Sequence, residues 1–183
     1  MVREFTLHRP APEDWAEVRE LRLRMVTDTP IAFLESREQV LERTEQQWRD
    51  RIREQASAGS IRIVAVAPDG RWVGSMSCFL TDGSPGYVID PRPGAPRANL
   101  VGVFVDPEWR GDAGVADALL DAICAWVREQ GLAELYLHVG DINTRARRFY
   151  AKRGFRETGV VDATAEQPGI GEIEMVFELA ERG

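Results

Sequence analysis

Apolar positions recur with two periods along this chain, and the switches between those periods mark its elements. Phe5-Thr6-Leu7-His8-Arg9 alternates and predicts a first strand. Pro12, Glu13 and Asp14 then suit a helix start, since proline fits the first turn and acids favour the positive end of the helix dipole. Trp15, Val18, Leu21 and Met25 follow at helical spacing, and Asp28-Thr29-Pro30 ends that helix. Ser36 and Gln39 make a capping box for a second helix from about Arg37 to Gln55, with Leu41, Trp48 and Ile52 on one face and charges on the rest.

The period then returns to two. Ile61 to Val66 and Trp72 to Leu80 read as strands joined by the turn Pro68-Asp69-Gly70, which makes a hairpin. Thr81 to Arg97 holds four prolines and three glycines and reads as a surface loop or flap. Asn99 to Val105 is a continuous apolar run, which predicts a strand buried on both faces, ended by Asp106-Pro107. Gly114 to Gln130 predicts a largely buried helix whose polar stripe is Asp117, Asp121, Cys124 and Arg128. Glu134 to Val139 is a strand, Asn143 to Arg153 a short helix stopped at Gly154, and strands follow from Phe155 and over Glu172 to Leu179. The order β-α-α-β-β-β-α-β-α-β-β predicts a mixed α/β fold in one domain over residues 1–183.

Composition narrows the class. With 183 residues, 44% hydrophobic and 29% charged, the chain has the make-up of an ordinary globular protein. Its net charge of −7 argues against a nucleic-acid partner, because a phosphate backbone needs a basic face. Two cysteines, Cys78 and Cys124, make no disulfide framework, and two histidines make a metal site unexpected. The start, MVREFTLHRP, shows no apolar leader, and no apolar run has membrane-spanning length, so the expected setting is cytoplasmic with no membrane partner.

The segment Val103-Phe104-Val105-Asp106-Pro107-Glu108-Trp109-Arg110-Gly111-Asp112-Ala113-Gly114-Val115-Ala116 is the first candidate for chemistry. A strand runs into a glycine-bearing loop that opens a helix. Helix N-termini carry free N–H groups and a dipole that favours anions, and glycines let the backbone come close to one. This is a candidate pyrophosphate cradle. The competing reading is a strand–helix connection whose glycines serve only the turn. Neither a Walker loop nor a dinucleotide fingerprint is present.

The second candidate is Asn143-Thr144-Arg145-Ala146-Arg147-Arg148-Phe149-Tyr150-Ala151-Lys152-Arg153-Gly154-Phe155. It resembles, at every defined position, the signature Asn-x-x-Ala-x-x-Phe-Tyr-x-x-x-Gly-Phe of the GNAT N-acetyltransferase superfamily. It also follows the glycine loop, its helix and one strand in that family's order. The resemblance covers about Ala98 to Thr158. The N-terminal Leu21-Arg22-Leu23-Arg24 helix and Asp28-Thr29-Pro30-Ile31-Ala32-Phe33 look like a bacterial branch of the superfamily.

The resemblance implies a mostly antiparallel sheet of about seven strands with about four helices, splayed between the fourth and fifth strands. It implies acetyl-CoA as cosubstrate, direct transfer in a ternary complex, an amine acceptor (small molecule or protein), and an optional homodimer. Carried over, Val103, Phe104 and Val105 meet the pantetheine arm. Arg110, Gly111, Asp112, Ala113, Gly114, Val115 and Ala116 form the phosphate loop. Asn143 bonds the cofactor, and Tyr150 faces the sulfur as general acid. Other readings stand beside these: Asn143 as an ordinary N-cap, and Phe149 and Tyr150 as core aromatics. Arg147, Arg148 and Lys152 either meet the 3′-phosphate or form a solvated face.

One departure is visible. The family loop is Arg/Gln-x-x-Gly-x-Gly/Ala. Anchored at Gly114 and Ala116, its first position falls on Gly111, so this loop carries one extra residue, and Asp112 adds a negative charge beside an anion site. No acid lies in Asn99 to Val105 to serve as general base. Glu35, Asp82 and Asp90 fall in segments bordering the acceptor site, although each also reads as a surface acid. Trp48 and Trp72 read as core, Cys124 as a thiol disfavoured as nucleophile by adjacent acids, and His8 and His138 as structural. The alternative function is a noncatalytic acyl-CoA-binding module.

Overall fold

The computed structural model describes residues 4–30, 33, 35–57, 59–81, 96–111, 114–163 and 171–179. The elements are β1 (Thr6–His8), α1 (Trp15–Asp28), α2 (Arg37–Glu42), α3 (Glu45–Gln55), β2 (Ser60–Val66), β3 (Trp72–Thr81), β4 (Arg97–Val105), α4 (Val115–Glu129), β5 (Glu134–Gly140), α5 (Thr144–Lys152), β6 (Arg156–Ala163) and β7 (Gly171–Glu178). Seven strands make one sheet in the order β1-β2-β3-β4-β5-β7-β6, antiparallel at β1–β2, β5–β7 and β6–β7 and parallel at β4–β5. The mixed α/β class expected from the periodicities is the one observed.

Three local expectations differ. The helix expected over Arg37 to Gln55 is two helices. Thr44 repeats the capping box of Ser36: its hydroxyl accepts from the Gln47 backbone N–H at 3.3 Å while the Gln47 side chain accepts from the Thr44 N–H at 2.8 Å. That second cap turns Arg43 extended and restarts the helix. The apolar run of β4 is not buried on both faces, since Val101 is 42% exposed. Gly102, at φ +60°, interrupts the strand's regular alternation there. Cys124, expected on the polar stripe of α4, is 4% exposed and belongs to the core.

The chain packs as two units, residues 1–78 with 102–123 and residues 79–101 with 124–183. In the first, Val18, Leu21, Met25 and Val26 of α1 pack with Val40, Trp48 and Ile52 of α2 and α3, Val64 of β2, Trp72 of β3 and Phe104 of β4. Trp48 and Trp72 are thus core residues, and burying such side chains supplies most of the drive for folding. Gly74 of β3 lies under α4: a Cβ there would come within 2.8 Å of a Val115 methyl carbon.

In the second unit, β5 pairs with β7 from Glu134↔Glu178 to Gly140↔Glu172. Phe149, Tyr150, Phe155 and Phe177 form a continuous aromatic run with centroid separations of 5.4, 5.4 and 5.2 Å. Arg97 and Glu174 pair at 2.8 Å, both side chains 4% exposed, with the Arg97 guanidinium 3.5 Å from the Tyr136 ring centroid. His138 Nε2 lies 3.7 Å from the same Glu174 carboxylate.

Candidate active site

In the first unit, Val103, Phe104 and Val105 end β4 and lead through a single turn, Pro107–Trp109, to the glycine loop. Gly111 and Gly114 have φ of +78° and +71°, where side chains are strained. A Cβ at either would meet nothing within 4 Å, so both glycines border open space. Val115 and Ala116 then begin α4, whose axis starts with N–H groups lacking intrahelical acceptors. An anion cradle requires glycine-permissive backbone, open space and a helix start, and the residues present fit the pyrophosphate of coenzyme A in these respects. Asp112 and Ala113 lie outside the described residues.

The segment before the glycines is fastened to α1. Asp106 donates its N–H to the Val73 carbonyl at 2.8 Å, and its carboxylate pairs with Arg24. Arg24 also donates to the Trp72 carbonyl at 2.7 Å. Arg110 donates through Nε to the Val105 carbonyl at 2.7 Å and pairs through NH2 with Asp28. Its guanidinium is therefore engaged by the protein itself. Arg24 and Asp28 were not among the sequence candidates. The signal was available: two charges one turn apart on a helix with an apolar face, ahead of a loop bearing the opposite charges.

In the second unit, Asn143 caps α5, its side-chain oxygen accepting from the Ala146 N–H at 3.1 Å. Tyr150 is 5% exposed within the aromatic run. Burial pushes its phenol well above the usual tyrosine range, so it holds its proton at neutral pH. Arg147 donates to the Asp141 carbonyl at 3.2 Å and pairs with Glu157 at 2.7 Å, while Arg148 and Lys152 are exposed. The pocket of about 370 Å³ in this unit, between Arg97, Glu134, Tyr136 and Glu178, contains none of the sequence candidates. Its charged walls are paired internally, Tyr136 with Glu134 at 2.5 Å and Glu178 with Arg156 at 2.5 Å.

Of the candidate bases, Asp82 and Asp90 lie outside the described residues. Glu35 is no surface acid. Its carboxylate is 8% exposed and held by Arg22 at 2.7 Å and Arg43 at 2.5 Å. Burial raises its pKa, but the hydrogen bonds and charges of those arginines outweigh it, leaving the pKa below the usual glutamate value. A carboxylate so held is a poor proton acceptor. His8 bonds Asp14 at 2.8 Å. Among the described residues there is no His, Cys, Asp and Glu group suited to a metal, and no helix long and apolar enough to cross a membrane.

The fold thus places a glycine loop after β4 and the helix Thr144–Lys152 after β5. Residues 15–155 match the acetyltransferase (GNAT) family, and the chain belongs to that family. It is 32% identical over 103 residues to aminoglycoside N(6′)-acetyltransferase type 1 of Stenotrophomonas maltophilia, covering 56% of this chain and 64% of that enzyme. It is 38% identical over 72 residues to human N-acetyltransferase 8, covering 39% of this chain but 31% of that protein. The chain thus spans less than two thirds of either relative. Its fold is that of a GNAT-family acetyltransferase from Streptococcus pneumoniae, with TM-score 0.76 at 19% identity over 97% of this chain and 100% of that one. YncA of Salmonella typhimurium, a structure with acetyl-CoA, gives TM-score 0.71 at 17% identity over 98% of this chain and 96% of that one.

Proposed function

We propose that this protein transfers the acetyl group of acetyl-CoA to a primary amine by direct attack in a ternary complex. The observation that carries this reading is Tyr150: a phenol inside the family motif, buried and kept protonated, which binding alone does not require. The S. maltophilia and human relatives named as N-acetyltransferases, and the acetyl-CoA complex of YncA, support the same reaction class. On this reading the pyrophosphate of acetyl-CoA is held by Gly111, Gly114 and the start of α4, and its pantetheine arm by the backbone of Val103 to Val105. Asn143 serves as both helix cap and cofactor contact.

The amine arrives neutral, having given one proton to water. Its nitrogen attacks the thioester carbonyl, whose developing oxyanion takes a hydrogen bond from a backbone N–H. The C–S bond breaks, Tyr150 gives its proton to the departing sulfur, and the surplus N–H proton of the product returns through water to the phenolate. The thioester is already reactive, so much of the acceleration is positioning. The test is thiol release over an amine panel by wild type and Tyr150→Phe, with acetyl-CoA binding measured in parallel. The reading requires both proteins to bind and only wild type to turn over rapidly. Binding without release of coenzyme A by wild type for any amine would instead favour a noncatalytic acyl-CoA module.

A further inference from the structure

Around Glu35 the first unit gathers more positive charge than it neutralises. Arg22 and Arg43 clamp the carboxylate, stacking their guanidinium groups 4.9 Å from the Phe33 centroid and 4.7 Å from the Trp48 centroid. Arg51 of α3 and Arg62 of β2 feel the same carboxylate; Arg51 is repelled by Arg43 and Arg22, and Arg62 by Arg22 and Arg51. Among the described residues, no acid lies within ion-pair distance of Arg51 or Arg62; Glu54 adds only a longer-range attraction to Arg51. Two of these four guanidinium groups pair with Glu35 and the other two only feel it from further away, in a protein whose net charge is −7.

The surroundings sharpen the excess. Burial, and then repulsion from Arg22 and Arg51, push the Arg62 pKa down to about 10. Burial likewise lowers that of Arg51. Both remain charged at neutral pH and both are only partly exposed, so their charges are screened less than those of fully exposed arginines. Such an arrangement of like charges costs stability, and an anionic ligand would supply the missing charge.

This cluster adjoins the strand assigned to acetyl-CoA. Arg62 Nε donates to the Ser77 hydroxyl at 3.3 Å. A Cβ at Gly102 would lie 3.6 Å from that same hydroxyl, and Gly102 directly precedes Val103 in β4. The series Arg62, Ser77, Gly102 therefore connects the excess charge to the strand that would present the thioester.

We propose that the acceptor amine carries an anionic oxygen group, a carboxylate or a phosphate, and that Arg51 and Arg62 bind it. The inference rests on the acetyltransferase reading and narrows its substrate class to amines with a negative tail. It makes Arg51 and Arg62 specificity residues and leaves Arg22 and Arg43 to hold the cluster through Glu35.

The test compares matched acceptors at equal concentrations of neutral amine: 4-aminobutyrate with 4-aminobutyramide, and 2-aminoethyl phosphate with ethanolamine. Wild type should prefer one anionic member by at least about 10-fold in kcat/KM, the scale of a charge-assisted hydrogen bond. Which pair shows the preference separates carboxylate from phosphate. Arg51→Gln and Arg62→Gln should erase it while leaving acetyl-CoA affinity unchanged, and should keep or raise Tm because like charges are removed. A purely structural role would lower Tm without altering the preference. Equal rates within both pairs, a preference that survives both substitutions, or weakened acetyl-CoA binding in the variants would each overturn the proposal. A readout free of the cofactor separates this failure from that of the enzyme reading: inorganic phosphate should raise the Tm of wild type saturably, and of Arg51→Gln much less. Equal shifts in both proteins would refute the anion site even if acetyl transfer stands.

Discussion

Arg110 reaches back to the strand that precedes it: its Nε donates to the carbonyl of Val105 at 2.7 Å. Because NH2 of the same side chain also pairs with Asp28, one residue joins the end of β4, the glycine loop and the end of α1. Replacing it with alanine removes a charge-assisted bond to a strand carbonyl and leaves Asp28 without this partner. The expected cost is about 1–2 kcal/mol, seen as a Tm lower by roughly 2–8 °C in a scanning experiment. Acetyl-CoA binding should weaken as well, since Gly111 is the next residue. A variant that binds acetyl-CoA as wild type does would separate the two effects and remove Arg110 from the cradle.

Gly74 and Gly114 bear on the start of α4, part of the proposed cradle, by different means. A methyl group at Gly74 would approach Val115 Cγ1 to 2.8 Å and push on the first residue of α4. Gly74→Ala should cost about 1–3 kcal/mol by overpacking and displace the helix start. At Gly114 a methyl group meets nothing within 4 Å, but the φ of +71° is unfavourable for alanine by about 1–2 kcal/mol. Both substitutions should lower Tm and acetyl-CoA affinity, measured by calorimetry on the same preparations.

The fold and the motif segments were legible because hydrophobic period and turn chemistry agree with the tertiary structure. Asn143 does cap α5, and Trp48 and Trp72 are core. The missed features depend on partners distant in sequence. Nothing local says that Glu35 is enclosed by Arg22 and Arg43, or that Asp106 meets Arg24 across 82 residues. The break between α2 and α3 was readable, since Thr44-x-x-Gln47 repeats the pattern of Ser36-x-x-Gln39, but the continuing charged face masked it. A helical stripe alone puts Cys124 with the polar residues of α4, and its burial follows from packing that a stripe does not encode.

Tyr150 makes a prediction with a definite sign in pH. Its folded pKa lies above the unfolded value of about 10, so below pH 10 both states hold the proton and stability is unaffected. Above pH 10 the unfolded chain loses that proton first, and stability falls as pH rises. Tyr150→Phe should therefore flatten the alkaline loss of stability. It should also lower kcat by about 10²- to 10⁴-fold at neutral pH, with acetyl-CoA affinity retained. Urea melts from pH 8 to 11 together with steady-state kinetics would show both effects.

Glu35 predicts the opposite dependence. Its folded pKa is depressed, so its stabilising contribution is present above the unfolded value of about 4.3 and is lost as pH falls through the folded pKa. Glu35→Gln should reduce stability near neutral pH by on the order of 3 kcal/mol, because Arg22 and Arg43 lose their shared counter-charge. The difference between wild type and variant should shrink on acidification below pH 4. Chemical melts at pH 7 and pH 3 measure it, and an unchanged gap would show that the clamp contributes nothing through charge.

Titrating acetyl-CoA into the purified protein by calorimetry is the most direct test of the whole reading. Saturable binding with one site per chain, weakened in Gly114→Ala and preserved in Tyr150→Phe, is the expected result. No heat of binding up to about 1 mM acetyl-CoA, equivalent to an affinity weaker than about −4 kcal/mol, would contradict it. Gly111, Gly114 and the start of α4 would then be no more than a turn into a helix.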